Sequence, residues 1–252
     1  MCNRWKQYAV AGVVSLSLLG TGCVSVGPES AEDILAKIAR STDPDGVMKC
    51  VKSEVVTANL VTRKGEEGHV VVKLKMPDMI RIEVRSAEET YIVAYNGKKA
   101  WEYGTKSGYH ELRGKELEDV RFQAAFYVAP STNFKDIFSK VVLKGVEEVN
   151  GFGCHILVAQ PLPVYGIPPI TLYVDKETYM VVKSVVTHNT RGGPVVSTTY
   201  FNSYEDVDGV MMPMNIISEA AGDLMELNNE SVAWNEEIDQ SYFDPPRELR
   251  KK

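Results

Sequence analysis

Apolar and polar residues alternate with period two over much of this chain. The clearest stretch sets Val70, Val72 and Leu74 against His69, Val71, Lys73 and Lys75. After a turn at Pro77-Asp78, Ile80, Ile82 and Val84 repeat the pattern against Arg81, Glu83 and Arg85. Side chains of a strand point alternately to its two faces, so both segments read as strands with one greasy and one charged face. Ser86 to Glu89 makes the next turn. Asn96-Gly97 is a two-residue hairpin signal between Tyr91 to Tyr95 and Lys99 to Tyr103. Gly104-Thr105-Lys106-Ser107-Gly108 reads as a further hairpin turn. Short strands joined this tightly are antiparallel neighbours.

Two stretches break the period. Ser30-Ala31-Glu32-Asp33 has the layout of a capping box, and Ile34, Leu35 and Ile38 then share one helical face until Asp43-Pro44-Asp45-Gly46. From about Val47 the period becomes two. Lys115 to Tyr127 has few turn residues and spaces Leu117, Val120, Phe122, Ala124 and Phe126 irregularly, with Phe134, Ile137 and Phe138 following after Pro130. The expectation here is helical segments. After Ser139 strands resume: Val141 to Val149, an Asn150-Gly151 turn, Cys154 to Ala159, and a proline-rich loop from Pro161 to Pro169. Ile170 to Val174, Tyr179 to Thr187, Val195 to Tyr204, Val210 to Ile217 and Leu224 to Trp234 complete the pattern. Between them lie turns at Asp175 to Thr178, Gly192-Gly193-Pro194 and Asp208-Gly209. With no long linker or low-complexity run, residues 30–246 read as one domain, mainly β with α, followed by a polar tail at 247–252. The expected architecture is a large antiparallel sheet with helices at its start and middle.

The first residues carry a different signal. Arg4 and Lys6 form a positive head, Tyr8 to Leu19 is uncharged and apolar, and Gly20-Thr21-Gly22 precedes Cys23. That is the layout of a secretory signal. It resembles the lipobox of bacterial lipoproteins, with Gly20 in the place three before the cysteine that usually holds Leu, and Leu19 one step further back. The resemblance implies that residues 1–22 are removed, that Cys23 is diacylated and that residues 23–29 form a lipidated tether. Ordinary cleavage near Gly22, leaving a free thiol, and an uncleaved anchor are the other readings. The apolar run is short for a bilayer span of about 20 residues. By the enteric sorting rule Val24, which is not Asp, implies the outer membrane.

Loss of residues 1–22 removes two cations and no acid, so the formal net charge moves from −6 by two to −8. So acidic a chain is not expected to bind nucleic acid. Cys2 lies in the leader, which leaves Cys50 and Cys154 as an even pair. In an oxidising compartment they read either as a disulfide or as two separate buried thiols. Of the patterns that carry catalysis, the sequence shows no Gly-x-Ser-x-Gly, His-Glu-x-x-His, Cys-x-x-Cys or phosphate-binding glycine loop. His69, His110, His155 and His188 are scattered without metal spacing and read as solvent-facing or hydrogen-bonded. The expectation is a noncatalytic protein with no metal and no cofactor. A triad assembled from distant residues stays open, so a lipid hydrolase is a third reading.

Further along, Gly68-His69-Val70-Val71-Val72-Lys73, Pro77, Arg81 and Tyr95-Asn96-Gly97-Lys98-Lys99-Ala100-Trp101-Glu102-Tyr103 resemble the signature of the outer-membrane lipoprotein-sorting family, with its LolA-like and LolB-like members. Tyr173-Val174-Asp175, Asp208-Gly209-Val210-Met211-Met212-Pro213 and Phe243-Asp244-Pro245-Pro246 fit it too, so the resemblance spans most of residues 30–246. It implies an unclosed, strongly curved antiparallel half-barrel whose concave apolar face is covered by helices and accepts acyl chains of lipids or lipoproteins. No individual site residue is carried over. The rows themselves make Val70, Val72, Leu74, Ile80, Ile82, Val84, Met212, Met214 and Ile216, with Met180, the candidate cavity walls. Trp101 reads as a packing residue. Expected partners are acyl chains, a membrane through the anchor, and a periplasmic carrier or envelope protein. A sensor or scaffold that docks a protein on the same apolar face is the second reading.

Overall fold

The computed structural model describes residues 29–127 and 134–246. The signal peptide, Cys23, the tether before Glu29 and the polar tail lie outside the described residues. The first helix, α1 (Ala31–Thr42), begins where the sequence places it: the Ser30 hydroxyl accepts the Asp33 N–H at 3.1 Å, and the Asp33 carboxylate accepts the Ser30 N–H at 3.1 Å. Asp43 ends it, its own N–H donating to Ala39 O while its carboxylate accepts the N–H groups of Val47 and Met48. Residues Val47–Cys50 form a 3₁₀ turn, not the start of a strand.

A meander follows: β1 (Ser53–Thr62), β2 (Glu67–Lys75), β3 (Met79–Ser86), β4 (Thr90–Tyr95), β5 (Ala100–Gly104) and β6 (Gly108–Leu112). Helix α2 (Lys115–Tyr127) leads to a second meander, β7 (Phe138–Val149), β8 (Phe152–Pro161), β9 (Ile170–Asp175), β10 (Val181–Thr190), β11 (Gly193–Val207), β12 (Val210–Ala220) and β13 (Asp223–Trp234). All thirteen strands belong to one antiparallel sheet in the order β6-β5-β4-β3-β2-β1-β13-β12-β11-β10-β9-β8-β7. The two meanders therefore run outward from the central β1–β13 pair, and β6 and β7 are free edges joined through α2.

Contacts of the helices reveal the curvature. Helix α2 packs against β4 and β5 on one wing and against β10 on the other. In the sheet β5 and β10 stand eight places apart, about 38 Å along its surface at the usual strand spacing. A helix is only about 10–12 Å wide with its side chains. The sheet must curl so that both wings reach the same helix. Helix α1 does likewise between β12 and β7. The result is an unclosed half-barrel with both helices on its concave side.

Differences from the sequence reading have physical causes. Phe134–Asp136 is a single 3₁₀ turn and Phe138 already opens β7. Phe138 packs edge-on against Phe122 and Phe126 of α2, with ring centroids 6.0 and 5.9 Å apart, and stacks on Phe134 at 4.3 Å. Aromatic contacts with α2, not helical periodicity, set the spacing of these residues. The hairpin near Gly192 is tighter than expected, with Gly193 and Pro194 inside β11. Strand β10 begins at Val181, because Tyr179 adopts a left-handed backbone (φ +58°).

The cysteines are not paired. Cys50 is exposed and Cys154 is buried, both as free thiols. Cys50 lies just ahead of β1, whereas Cys154 is in β8, six strands away in the sheet. Alternation along β8 also turns Cys154 away from the face that carries Leu157 and Ala159, and its thiol donates to Phe152 O at 3.3 Å.

On the convex side the chain after β13 straps back over the first wing. Trp101, fully buried with Ile92 and Ala94 in a small cluster of its own, donates its indole N–H to Phe243 O at 2.8 Å. Arg81 lies over the Tyr242 ring at 4.6 Å, and Lys75 donates to Ile238 O at 2.6 Å. Trp101→Phe, which leaves the Phe243 carbonyl unpaired, is expected to cost about 1–2 kcal/mol of stability. Urea unfolding measures it, and an unchanged midpoint would remove this hydrogen bond from the account of the strap.

Candidate functional site

Register builds the concave face row by row. Ala58, Val70, Val84 and Tyr91 stand opposite one another across β1 to β4, as do Val56, Val72, Ile82 and Val93, and then Glu54, Leu74, Ile80 and Tyr95. On the other side of β1 the face continues through Trp234, Val232 and Leu227 of β13, Ile216 of β12 and Phe201 of β11. Val70, Val72, Leu74, Ile80, Ile82, Val84, Met212 and Ile216 are all buried in one continuous cluster, and Met214 packs half-buried against it. The structure thus brings all nine candidate walls together beneath the helices. Met180 stands apart, lining a largely apolar pocket of about 320 Å³ with Phe152, Val182 and Phe201.

Beside Asn229, which stands opposite Ala58 and donates its Nδ2 to Pro213 O at 2.9 Å, polar groups interrupt this face at three places. In the second wing Ser184, Ser197, Thr199 and Ser218 are buried, and Ser218 Oγ lies 3.2 Å from both Ser197 Oγ and Thr199 Oγ1. They leave small side chains beneath the helices.

The second interruption fastens α2. Asp119 is buried on α2 and accepts from Gln123 Nε2 at 2.5 Å and from the Asn189 N–H at 3.0 Å, while His188 Nδ1 lies 3.2 Å from the same carboxylate. Beside it, Arg191 in the β10–β11 turn donates to Glu102 of β5 at 2.9 Å, and Glu102 accepts the Tyr91 hydroxyl at 2.7 Å. Burial, and then the Glu102 carboxylate, push the Tyr91 phenol well above its usual range. Arg191 therefore ties one wing to the other, and Asp119 ties the helix between them to β10. The cleft they surround has a volume of about 40 Å³, room for a few water molecules at most. His188 Nε2, Gln123 Oε1 and Asn189 Nδ2 are buried there without hydrogen-bond partners among the described residues. An Asp–His pair of this kind can orient a base. The residues lining the cleft include no serine or cysteine, and the Thr190 hydroxyl is committed to Gly193 O at 2.7 Å.

The third interruption is Glu54. It is 1% exposed, its Oε1 has no hydrogen-bond partner among the described residues, and burial alone pushes its carboxyl up to about 8. Trp234, directly opposite on β13, has its Nε1 buried and unpartnered too.

A last cluster holds the point where the described chain begins. Glu29 accepts from Lys37 of α1 and from the Tyr179 hydroxyl, and its second oxygen lies 2.9 Å from His155 Nε2. Burial alone would raise the Glu29 carboxyl, but Lys37 and Tyr179 hold it below its usual value; burial also depresses His155, against the pull of Glu29. The other two histidines are at the surface, His110 Nε2 lying 2.9 Å from Ser107 O and His69 Nδ1 3.6 Å from Glu230.

Solved structures share this arrangement. A LolA superfamily protein from Nitrosomonas europaea superimposes with a TM-score of 0.57 at 16% identity, covering 86% of this chain and 98% of its own. The fold is LolA-like. A protein of the DUF1329 family from Desulfovibrio piger (TM-score 0.56, 17% identity, 81% of this chain and 98% of that one) shares the LolA-like fold. So does a putative outer membrane lipoprotein-sorting protein domain from Vibrio parahaemolyticus (TM-score 0.54, 13% identity, 85% and 94%). No family model matches the sequence, and no curated protein does.

Within the LolA-like fold, sequence reasoning located the apolar rows and missed the polar groups among them. Glu54 and Glu102 were accessible to it, since both occupy inward positions of alternating strands. Asp119 and His188 are 69 residues apart, and neither has a pattern that announces the other.

Proposed function

We propose that this chain is a noncatalytic, lipid-anchored protein of the bacterial envelope that binds acyl chains of a lipid or lipoprotein between the concave face and its helices. It would help move or insert them at the periplasmic face of the outer membrane. The observation that carries the reading is the single continuous apolar cluster that runs over β1–β4 and β11–β13, roofed by helices that meet both wings. Two similar structures, a LolA superfamily protein and a putative outer membrane lipoprotein-sorting protein domain, support the same class. Each methylene moved from water to such a face contributes roughly 0.8 kcal/mol. Part of a chain therefore suffices for measurable binding.

Handover in this reading is passive. The walls are packed, so a ligand enters only as a helix swings away. For α2 that means parting Asp119 from His188 and Asn189. An acyl chain then replaces side-chain contacts with its own, and differential affinity for the next acceptor sets the direction. Native mass spectrometry with lipid extraction on the protein purified from a bacterial envelope tests this. Lipid or acylated peptide bound near one-to-one supports it. A clean apo mass with no uptake of added lipid overturns it in favour of a surface that docks protein.

Met214 is the wall best suited to mutation, because it is only half-buried, while Ile82 and its row are sealed in the core. Met214→Lys is expected to fold and to weaken acyl-lipid binding about tenfold or more, a cost of at least about 1.4 kcal/mol. Unchanged retention by a folded variant would remove β12 from the wall.

A further inference from the structure

Glu54 and Trp234 stand out because native proteins rarely leave buried polar groups unpaired, and each such group calls for an explanation. Here two occur side by side. They are directly opposed across β1 and β13, where facing side chains have Cβ atoms about 4.5–5.5 Å apart. The Glu54 Oε1 and the Trp234 indole nitrogen are both sealed from solvent with no hydrogen-bond partner among the described residues. No described charge neutralises the carboxyl.

Their place in the rows suggests what they are for. Glu54 belongs to the outermost of the three concave rows, with Leu74, Ile80 and Tyr95. The next two rows, through Val56 and Ala58, are entirely Val, Ile, Ala and Tyr on β1 to β4, and together the three span about 13 Å. A polar pair therefore sits at one end of an apolar track. That order matches an amphiphile whose polar junction is followed by a hydrocarbon tail.

We propose that Glu54 and Trp234 form a recognition point for the carbonyl oxygen of an acyl ester, hydrogen-bonded by the carboxyl of one and the indole of the other while the acyl chain runs along the Val56 and Ala58 rows. The inference rests on the acyl-chain reading and adds to it the group that is recognised. An indole N–H can only donate. At neutral pH the buried Glu54 carboxyl retains its proton, so it too brings a donor. Two donors brought to one point suit a carbonyl oxygen, which has two lone pairs. An alkyl ether, with the same tail but a poorer acceptor, does not satisfy them.

The test is competition between dipalmitoyl phosphatidylcholine, which is ester-linked, and its dihexadecyl ether counterpart, for the full chain in mild detergent, read by native mass spectrometry. The wild type is expected to retain the ester lipid about tenfold over the ether. Glu54→Leu and Trp234→Phe should bring the ratio close to one, while Glu54→Gln, which keeps a donor, should preserve most of it. Trp234→Phe retains ring packing at a half-buried position, so it decides the matter even if Glu54→Leu does not fold. Equal retention of both lipids by the wild type overturns the carbonyl site and leaves acyl binding standing. Retention of neither overturns the acyl-chain reading and this inference with it.

Discussion

Asp119→Ala is expected to lower the unfolding free energy by about 3–5 kcal/mol, the usual cost of removing one partner from a buried ionic or hydrogen-bonded cluster. The carboxylate serves three neighbours at once: the Gln123 amide, the Asn189 backbone N–H and His188. Alanine leaves all three buried without that acceptor. Arg191→Ala should cost less, about 1–2 kcal/mol, because the Arg191 side chain is 47% exposed, although its loss leaves the buried Glu102 carboxylate with the Tyr91 hydroxyl alone. Urea unfolding of the two variants gives the comparison. The consequence for binding follows from position, since Asp119 fastens α2 to β10 and α2 roofs the face. Lipid should exchange faster in Asp119→Ala than in the wild type. A destabilisation below about 1 kcal/mol, with exchange unchanged, would mean that α2 is held by its aromatic contacts with Phe138 and Tyr165 and not by this cluster.

How much of this was legible in the chain depended on the range of the interaction. Turn chemistry was legible because it is local: Asn150-Gly151 and Asp208-Gly209 each place both residues at positive φ, which is what a tight two-residue hairpin requires. The capping box of α1 and the alternation through β2 and β3 are local too. The identity of the concave face followed, because a period of two assigns every second residue to it. What failed was decided by distant contacts. Phe134 and Phe138 looked helical because their partners, on α2 and on each other, are invisible in a one-dimensional pattern. Whether Cys50 pairs with Cys154 or both stay free thiols is open in the sequence, because it depends on a strand order in which β1 and β8 stand far apart. The polar clusters are hidden for the same reason. Glu29 meets His155 across 126 positions and Asp119 meets His188 across 69. Glu54 is the instructive exception, since its inward position could be read from Val56, Ala58 and Leu60. Its charge argued against burial, and burial prevailed because the chain on both sides of it is committed to the sheet.

That burial makes stability depend on pH in a direction opposite to the usual carboxylate. Glu54 titrates at about 8 in the folded protein against an ordinary value of 4.5. Below about 4.5 it is protonated in both states and contributes no difference. Between about 4.5 and 8 the unfolded chain gives up the proton while the folded chain keeps it, so the unfolded state is favoured increasingly as pH rises. The slope is about 1.4 kcal/mol per pH unit, which accumulates to roughly 4 kcal/mol by pH 8. Above that both states are ionised and the loss levels off. Glu54→Leu removes the titrating group and places an apolar side chain in an apolar row. It should therefore match or exceed the wild type in stability at pH 8 by several kcal/mol relative to their difference at pH 4.5. Unfolding free energies of the two proteins at half-unit intervals from pH 4.5 to 8.5 measure the divergence, and the difference between the curves isolates this residue from every other group that titrates. Parallel curves would show that Glu54 is ionised and hydrated in the folded state, and the carbonyl site argued from its proton would lose one of its two donors.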